Sequence, residues 1–234
     1  MGLKINHIAS GSSGNAILVT DGQTTIMMDA GLSYRNLSRL VDLTKVDAFF
    51  ITHEHMDHCK AVEELLRRGQ RVYASSGTRK ALLEKGQKVE GLSVLLHGSQ
   101  IEVGSFYVKA FDLIHDAEEP LGYMFQSMVS KKDKGVYISD SAYVQYDFSG
   151  ITHFVIECNY AEDILEEGKD PYFLKERIRR SHFSFEKLQQ FFAESDLSAA
   201  EEIHLVHLSD RNSNAEKFVN EIQKQTGVPT YVLE

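Results

Sequence analysis

The chain of 234 residues carries 34 acidic and 25 basic side chains, a formal charge of −9, and 42% of it is apolar. That length supports one sizeable core, so the sequence predicts a single domain over residues 1–234. The acidity argues against a protein that coats nucleic acid by bulk attraction, but not against an enzyme that grips a few phosphates locally.

No apolar run approaches the roughly 20 residues of a membrane span. The opening Met1-Gly2-Leu3-Lys4-Ile5-Asn6-His7 lacks the basic region and apolar core of a secretion signal. Cys59 and Cys158 are too few for a disulfide framework. A cytoplasmic protein with no membrane partner is therefore expected.

In chain order, Leu3 to Ile8 and Asn15 to Thr20 read as strands around the small-residue turn Ser10-Gly11-Ser12-Ser13-Gly14. That turn lacks a Walker lysine and precedes no helix, so it reads as a tight turn rather than a nucleotide cradle. Asp21-Gly22-Gln23 reverses the chain into a strand over Thr24 to Met28, closed by Asp29-Ala30-Gly31. Ser33 to Leu43 fits a short amphipathic helix. The apolar run Val46 to Ile51 fits a strand buried on both faces.

Directly after that strand comes Thr52-His53-Glu54-His55-Met56-Asp57-His58, and a helix pattern over 57–68 follows. The polar residues thus sit on the loop at a strand's C-terminal end, where open α/β sheets place ligands. His53 and His55, two apart in extended chain, point the same way and can grip one metal. Asp57 and His58 face a neighbouring position. Imidazole with carboxylate suits zinc, manganese or iron.

Beyond the loop the pattern gives a strand at 71–74, a helix at 78–85, and short strands at 92–96, 101–103 and 106–111. Strands at 123–128 and 135–139 flank Lys131-Lys132-Asp133-Lys134, read as a solvated hairpin tip. A buried strand, Phe154 to Tyr160, carries Glu157. Ser184 is an N-cap for a helix through Phe192. His182 stands at that helix start, a natural site for an anionic phosphate, with Arg177, Arg179 and Arg180 just before it. Those arginines read equally as a phosphate-binding group or a solvated face. A strand over Ile203 to Leu208, a helix from Asn214 to Lys224 and a strand from Thr230 to Leu233 close the chain.

The run His-x-His-x-Asp-His at 53–58 resembles the signature of the metallo-β-lactamase superfamily. Ala9-Ser10-Gly11-Ser12-Ser13-Gly14-Asn15-Ala16 is similar to the opening of its YycJ/WalJ-type branch, associated with 5′-to-3′ exonuclease action on double-stranded DNA. The resemblance implies a layered α/β fold, the four-layer αββα metallo-β-lactamase sandwich. It implies two divalent ions, zinc or manganese: His53, His55 and His115 on one, Asp57, His58 and His207 on the other, with Asp140 bridging. Asp29 is either a support for a ligand histidine or a strand-end turn residue. Asp57 would orient a water activated between the cations, and Glu157 with His182 would shuttle a proton to the leaving oxygen.

Two departures stand out against the family pattern. Ala142 replaces the usual glycine after Asp140, and Asn159-Tyr160-Ala161 replaces an Asn-His-Asp. The expected activity is a nuclease on DNA. The alternative is a hydrolase of small phosphodiesters such as cyclic nucleotides, which the net acidity suits. A purely structural metal protein fits poorly, because this ligand set leaves room for water.

Overall fold

The computed structural model describes residues 2–232. Its strands fall in two sheets. The chain divides into two compact units, Met1–Asp112 with Ala117–Asp133 and Leu113–Asp116 with Lys134–Glu234.

In the first unit, β1 (Lys4–Ala9), β2 (Ala16–Thr20) and β3 (Thr25–Met28) run antiparallel, with a register shift in β1 between His7 and Ala9. Helix α1 (Tyr34–Leu40) starts where the Ser33 hydroxyl accepts the Asn36 N–H. Next come β4 (Ala48–Phe50), helices α2 (Met56–Cys59) and α3 (Val62–Arg67), β5 (Val72–Ala74), α4 (Ser76–Glu84) and β6 (Ser93–Val94). Strands β3 to β6 pair in parallel. Phe49, Phe50 and Ile51 are fully buried, as expected of a strand covered on both faces. Strands β7 (Gln100–Val103), β8 (Phe106–Asp112) and β9 (Leu121–Ser127) form antiparallel pairs in sequence. They pack against the end of β4, where the Tyr123 hydroxyl donates to the Ile51 carbonyl at 2.6 Å.

In the second unit, β10 (Lys134–Ile138) and β11 (His153–Glu157) pair in parallel. Helices α5 (Glu162–Glu167), α6 (Tyr172–Ser181) and α7 (Phe185–Glu194) lead to β12 (Glu202–Val206), α8 (Ala215–Thr226) and β13 (Thr230–Val232). Strands β11, β12 and β13 are also parallel. No helix among the described residues is long and apolar enough to cross a membrane.

The predicted elements recur with shifts at their ends, the first helix stopping at Leu40 and the strand expected over 92–96 spanning Ser93–Val94, and with four larger differences. The helix expected over 57–68 is broken at Lys60–Ala61, because the ladder is diverted. The His58 carbonyl takes the Ala30 N–H at 2.7 Å, and the Ala61 N–H goes to the Ala30 carbonyl at 2.9 Å. Lys131 and Lys132 are exposed as a solvated tip, but Asp133 beside them is buried and accepts the Leu3 N–H at 3.0 Å. Helices α5 and α6 occupy a stretch for which the sequence suggested no element. The last predicted strand is seen to Val232, and Leu233 lies outside the described residues.

Candidate metal centre

In the first unit the strand end β4 delivers Thr52 and His53 into full burial. Thr52 is a hub: its N–H donates to Asp29 Oδ1 at 2.8 Å, and its hydroxyl lies 3.0 Å from the same oxygen and 2.9 Å from His53 Nδ1. His58 Nδ1 donates to Asp29 Oδ2 at 2.8 Å. The hydroxyl donates to the carboxylate and accepts from His53, so both imidazoles carry their proton on Nδ1. That leaves Nε2 as the electron-pair donor. Asn15 Nδ2 lies 3.1 Å from His58 Nε2, in keeping with an unprotonated nitrogen. His53 Nε2 and His55 Nδ1 are 3.0 Å apart. Two nitrogens on one tetrahedral ion stand roughly 3.3 Å apart, so this pair fits a shared cation.

Backbone threads fix the same loop from beneath. The Asp57 carbonyl accepts the Asn15 N–H at 2.7 Å, and the Asn15 carbonyl accepts the Gly31 N–H at 2.8 Å. A Cβ at residue 31 would lie 1.6 Å from that Asp57 oxygen, so only glycine permits the crossing. Asp29 itself sits at φ 60°, a left-handed conformation that costs a non-glycine residue energy and is typical of a site that needs it.

In the second unit the candidate ligands come from separated segments. Asp140, Glu157, His182 and His207 each offer an atom within 4.8 Å of the others. Asp140 and His207 follow β10 and β12 closely and take left-handed φ values of 48° and 52°. Glu157, fully buried at the end of β11, is saturated: Oε2 accepts the N–H groups of Ser141 at 2.9 Å and Phe183 at 3.0 Å. Oε1 accepts from His182 Nδ1 at 2.6 Å and His207 Nδ1 at 3.0 Å. Four contacts fill a carboxylate's lone-pair sites, and two of them are to imidazole nitrogens. His115 shows the same pattern, with Nδ1 donating to the Ser181 carbonyl at 2.7 Å and Nε2 lying 3.6 Å from Asp140 Oδ2.

The electrostatics follow from this packing. Burial disfavours a charged His182, but the carboxylates of Glu157 and Asp140 outweigh it and raise its pKa above the ordinary histidine value. Burial likewise opposes ionisation of Glu157, yet His182 holds its pKa below the usual carboxylate value despite Asp140 nearby.

The sequence-derived residues thus gather in two sets, His53, His55, Asp57 and His58 in one unit and His115, Asp140, Glu157, His182 and His207 in the other. His204, on β12, instead bonds Glu202 at 2.9 Å. Cys59 is buried and its thiol is pushed up to about 12, mainly by burial, so it packs as an inert small side chain. The three arginines separate: Arg179 is held by Glu162, Glu166 and Glu176 at 2.6–3.0 Å, and Arg177 bonds Asp116 at 2.7 Å. Arg180 is exposed with no carboxylate partner among the described residues. Sequence reasoning assigned no role to Thr52, Asn15 or Asn159. Asn159 Nδ2 donates to the His207 carbonyl at 2.9 Å and helps fix its strained backbone. Only the position of Thr52 directly before His53, at a buried strand end, hinted at its part.

Residues 24–208 match the family model of the β-lactamase superfamily domain. The chain belongs to the metallo-β-lactamase superfamily. Within this superfamily it is 31% identical to "Exodeoxyribonuclease WalJ" of Streptococcus pneumoniae serotype 2 (strain D39 / NCTC 7466), across 91% of this chain and 84% of that protein. It is 30% identical to "Exodeoxyribonuclease YycJ" of Bacillus anthracis, across 92% and 86%. These relatives place it in the WalJ/YycJ branch. Its fold is that of the metallo-β-lactamase fold protein YhfI from Bacillus subtilis, with a TM-score of 0.75 at 17% identity, covering 100% of this chain and 98% of that one. Superfamily membership and the histidine–carboxylate donor sets together point to divalent-metal binding.

Proposed function

We propose that the chain is a metal-dependent exodeoxyribonuclease of 5′-to-3′ polarity, acting as one metallo-β-lactamase domain in the cytoplasm. The observation that carries this reading is kinship with two exodeoxyribonucleases over 84% and 86% of their lengths. Two free, buried cysteines suit a reducing compartment.

In this proposal His53, His55 and His115 would hold one divalent ion and Asp57, His58 and His207 a second, with Asp140 available to either, as the superfamily's ligand order implies. Nδ1 of His53, His58, His115 and His207 is tied to an oxygen, so Nε2 is the nitrogen that would face an ion, at His58 in place of its contact with the Asn15 amide. Zinc and manganese both suit imidazole with carboxylate. Bound there, two such cations would acidify a water and offset charge on phosphoryl oxygens. The chain's own residues do the rest. Asp57 orients the attacking water. His182, whose pKa the Glu157 and Asp140 carboxylates raise, gives its proton to the leaving oxygen, and Glu157 positions the ring.

The test offers purified protein, with manganese or zinc, a 5′-end-labelled DNA duplex and cyclic mononucleotides side by side. The expected result is metal-dependent release of labelled mononucleotide from DNA, abolished by chelation. Hydrolysis of the cyclic nucleotides with the duplex left intact would overturn the nuclease reading and favour a small-diester hydrolase.

A further inference from the structure

Helix α6 carries a surface that the candidate metal centre does not use. Tyr172 and Phe173 open the helix and are 75% and 74% exposed, the most exposed large apolar side chains among the described residues. They border a cleft of about 470 Å³ whose wall also includes Asp116, Glu176, Arg177, Arg180 and Ser181. Folding does not account for two adjacent aromatics left in water beside arginines.

The lining carries two carboxylates, Asp116 and Glu176, and two guanidiniums, Arg177 and Arg180. Arg177 is paired with Asp116 at 2.7 Å, and the neighbouring Glu176 is paired with Arg179 at 2.8 Å. Arg180 is the one lining charge without a partner among the described residues, so a phosphate meets a single local cation in a wall that is neutral as a whole. From residue 172 to 180 the helix rises roughly 12 Å, the span of about three to four stacked nucleotides. The cleft also abuts the chemistry: Ser181 lines it, the Ser181 carbonyl accepts from His115 Nδ1, and His182 follows directly.

We propose that this cleft is the platform for the single-stranded end of a DNA substrate, with bases stacking on Tyr172 and Phe173 and a backbone phosphate meeting Arg180. The proposal rests on the exodeoxyribonuclease reading above and adds to it how a terminal strand is held. Aromatic faces with an interleaved arginine are what a strand with unstacked bases requires, and stacking on them is tolerant of sequence. A closed duplex hides those faces, so the platform engages a strand only after its end has parted.

The experiment measures binding of two labelled octamers by fluorescence anisotropy, using slowly hydrolysed phosphorothioate strands. One is oligodeoxythymidine and the other is the same backbone without bases. Wild type should prefer the base-bearing strand by about tenfold or more. Tyr172→Ala/Phe173→Ala should lose that preference and raise KM for digestion of DNA more than it lowers kcat. Arg180→Ala should weaken both octamers alike, because a phosphate contact ignores the base.

If the double variant keeps the base preference, the platform is wrong even where the enzyme digests DNA normally. If wild type releases nothing from DNA, the exodeoxyribonuclease reading fails and the platform with it. Should the double variant instead change the molecular mass in sedimentation with base preference intact, the patch is a face for a second copy and the proposal falls.

Discussion

The two units supply candidate ligands in different ways. In the first, His53, His55, Asp57 and His58 lie on one short loop, and support comes from backbone threads and the Thr52–Asp29 pair. In the second, His115, Asp140, His182 and His207 come from separate segments, and one buried carboxylate, Glu157, ties two of the imidazoles and two backbone N–H groups together. Both units arrive at the same device, a carboxylate on Nδ1 of a histidine. In the first unit that device serves one ring. In the second it serves two, so more of the geometry hangs on a single side chain.

The largest expected effect lies in the gathered set. Asp140→Ala should reduce hydrolysis to the level of the uncatalysed blank, with a modest fall in the thermal midpoint, since alanine bears the left-handed φ of 48° less well than aspartate. Wild-type turnover in this variant, with metal content unchanged, would remove the shared-ligand role.

Next comes His182→Ala, expected to lower turnover on a phosphodiester by about 10²–10⁴ with metal content unaltered. The loss should shrink for a nitrophenyl ester, whose leaving group departs without a proton. An equal loss on both substrates would assign the ring to phosphate positioning instead.

The smallest effects probe the comparison directly. Asp29→Asn and Glu157→Gln each disturb a group that orients histidines, and such changes cost about 10–100-fold in metal affinity or activity. Glu157→Gln should fall near the upper end, because an amide cannot accept from both imidazoles and both N–H groups at once. Asp29→Asn should fall near the lower end. Metal titrations of the two variants side by side decide it, and equal losses would show that the hub is no more critical than the simple pair.

How much of this was legible in the sequence follows the same division. The loop at 53–58 was readable from spacing alone, because its geometry is local. His115, Asp140 and His207 carry no such signal and were placed only through resemblance to the superfamily. The break in the helix at Lys60–Ala61 was hidden, since its cause is a pair of hydrogen bonds to Ala30, thirty-one residues before Ala61. Helix α6 was missed because, of its ten residues, only Lys175 and Ser181 are buried, so it lacks an apolar stripe. The same exposure is what leaves Tyr172 and Phe173 in solvent. The arginines could be sorted only once Glu162, Glu166 and Glu176 were seen around Arg179.

The crossing of Gly31 beneath Asp57 has a consequence for local opening. The Asp57 carbonyl, Asn15 and Gly31 bond in series, and the His58 carbonyl and Ala61 both bond Ala30. The ligand loop therefore cannot peel away by itself, because its release breaks contacts at the ends of β2 and β3 as well. Its amide protons belong to the same cooperative unit as the core strands, and exchange with solvent there is governed by sub-global unfolding rather than by fraying. A site on a loop so tied keeps its ligand geometry for as long as the surrounding sheet survives.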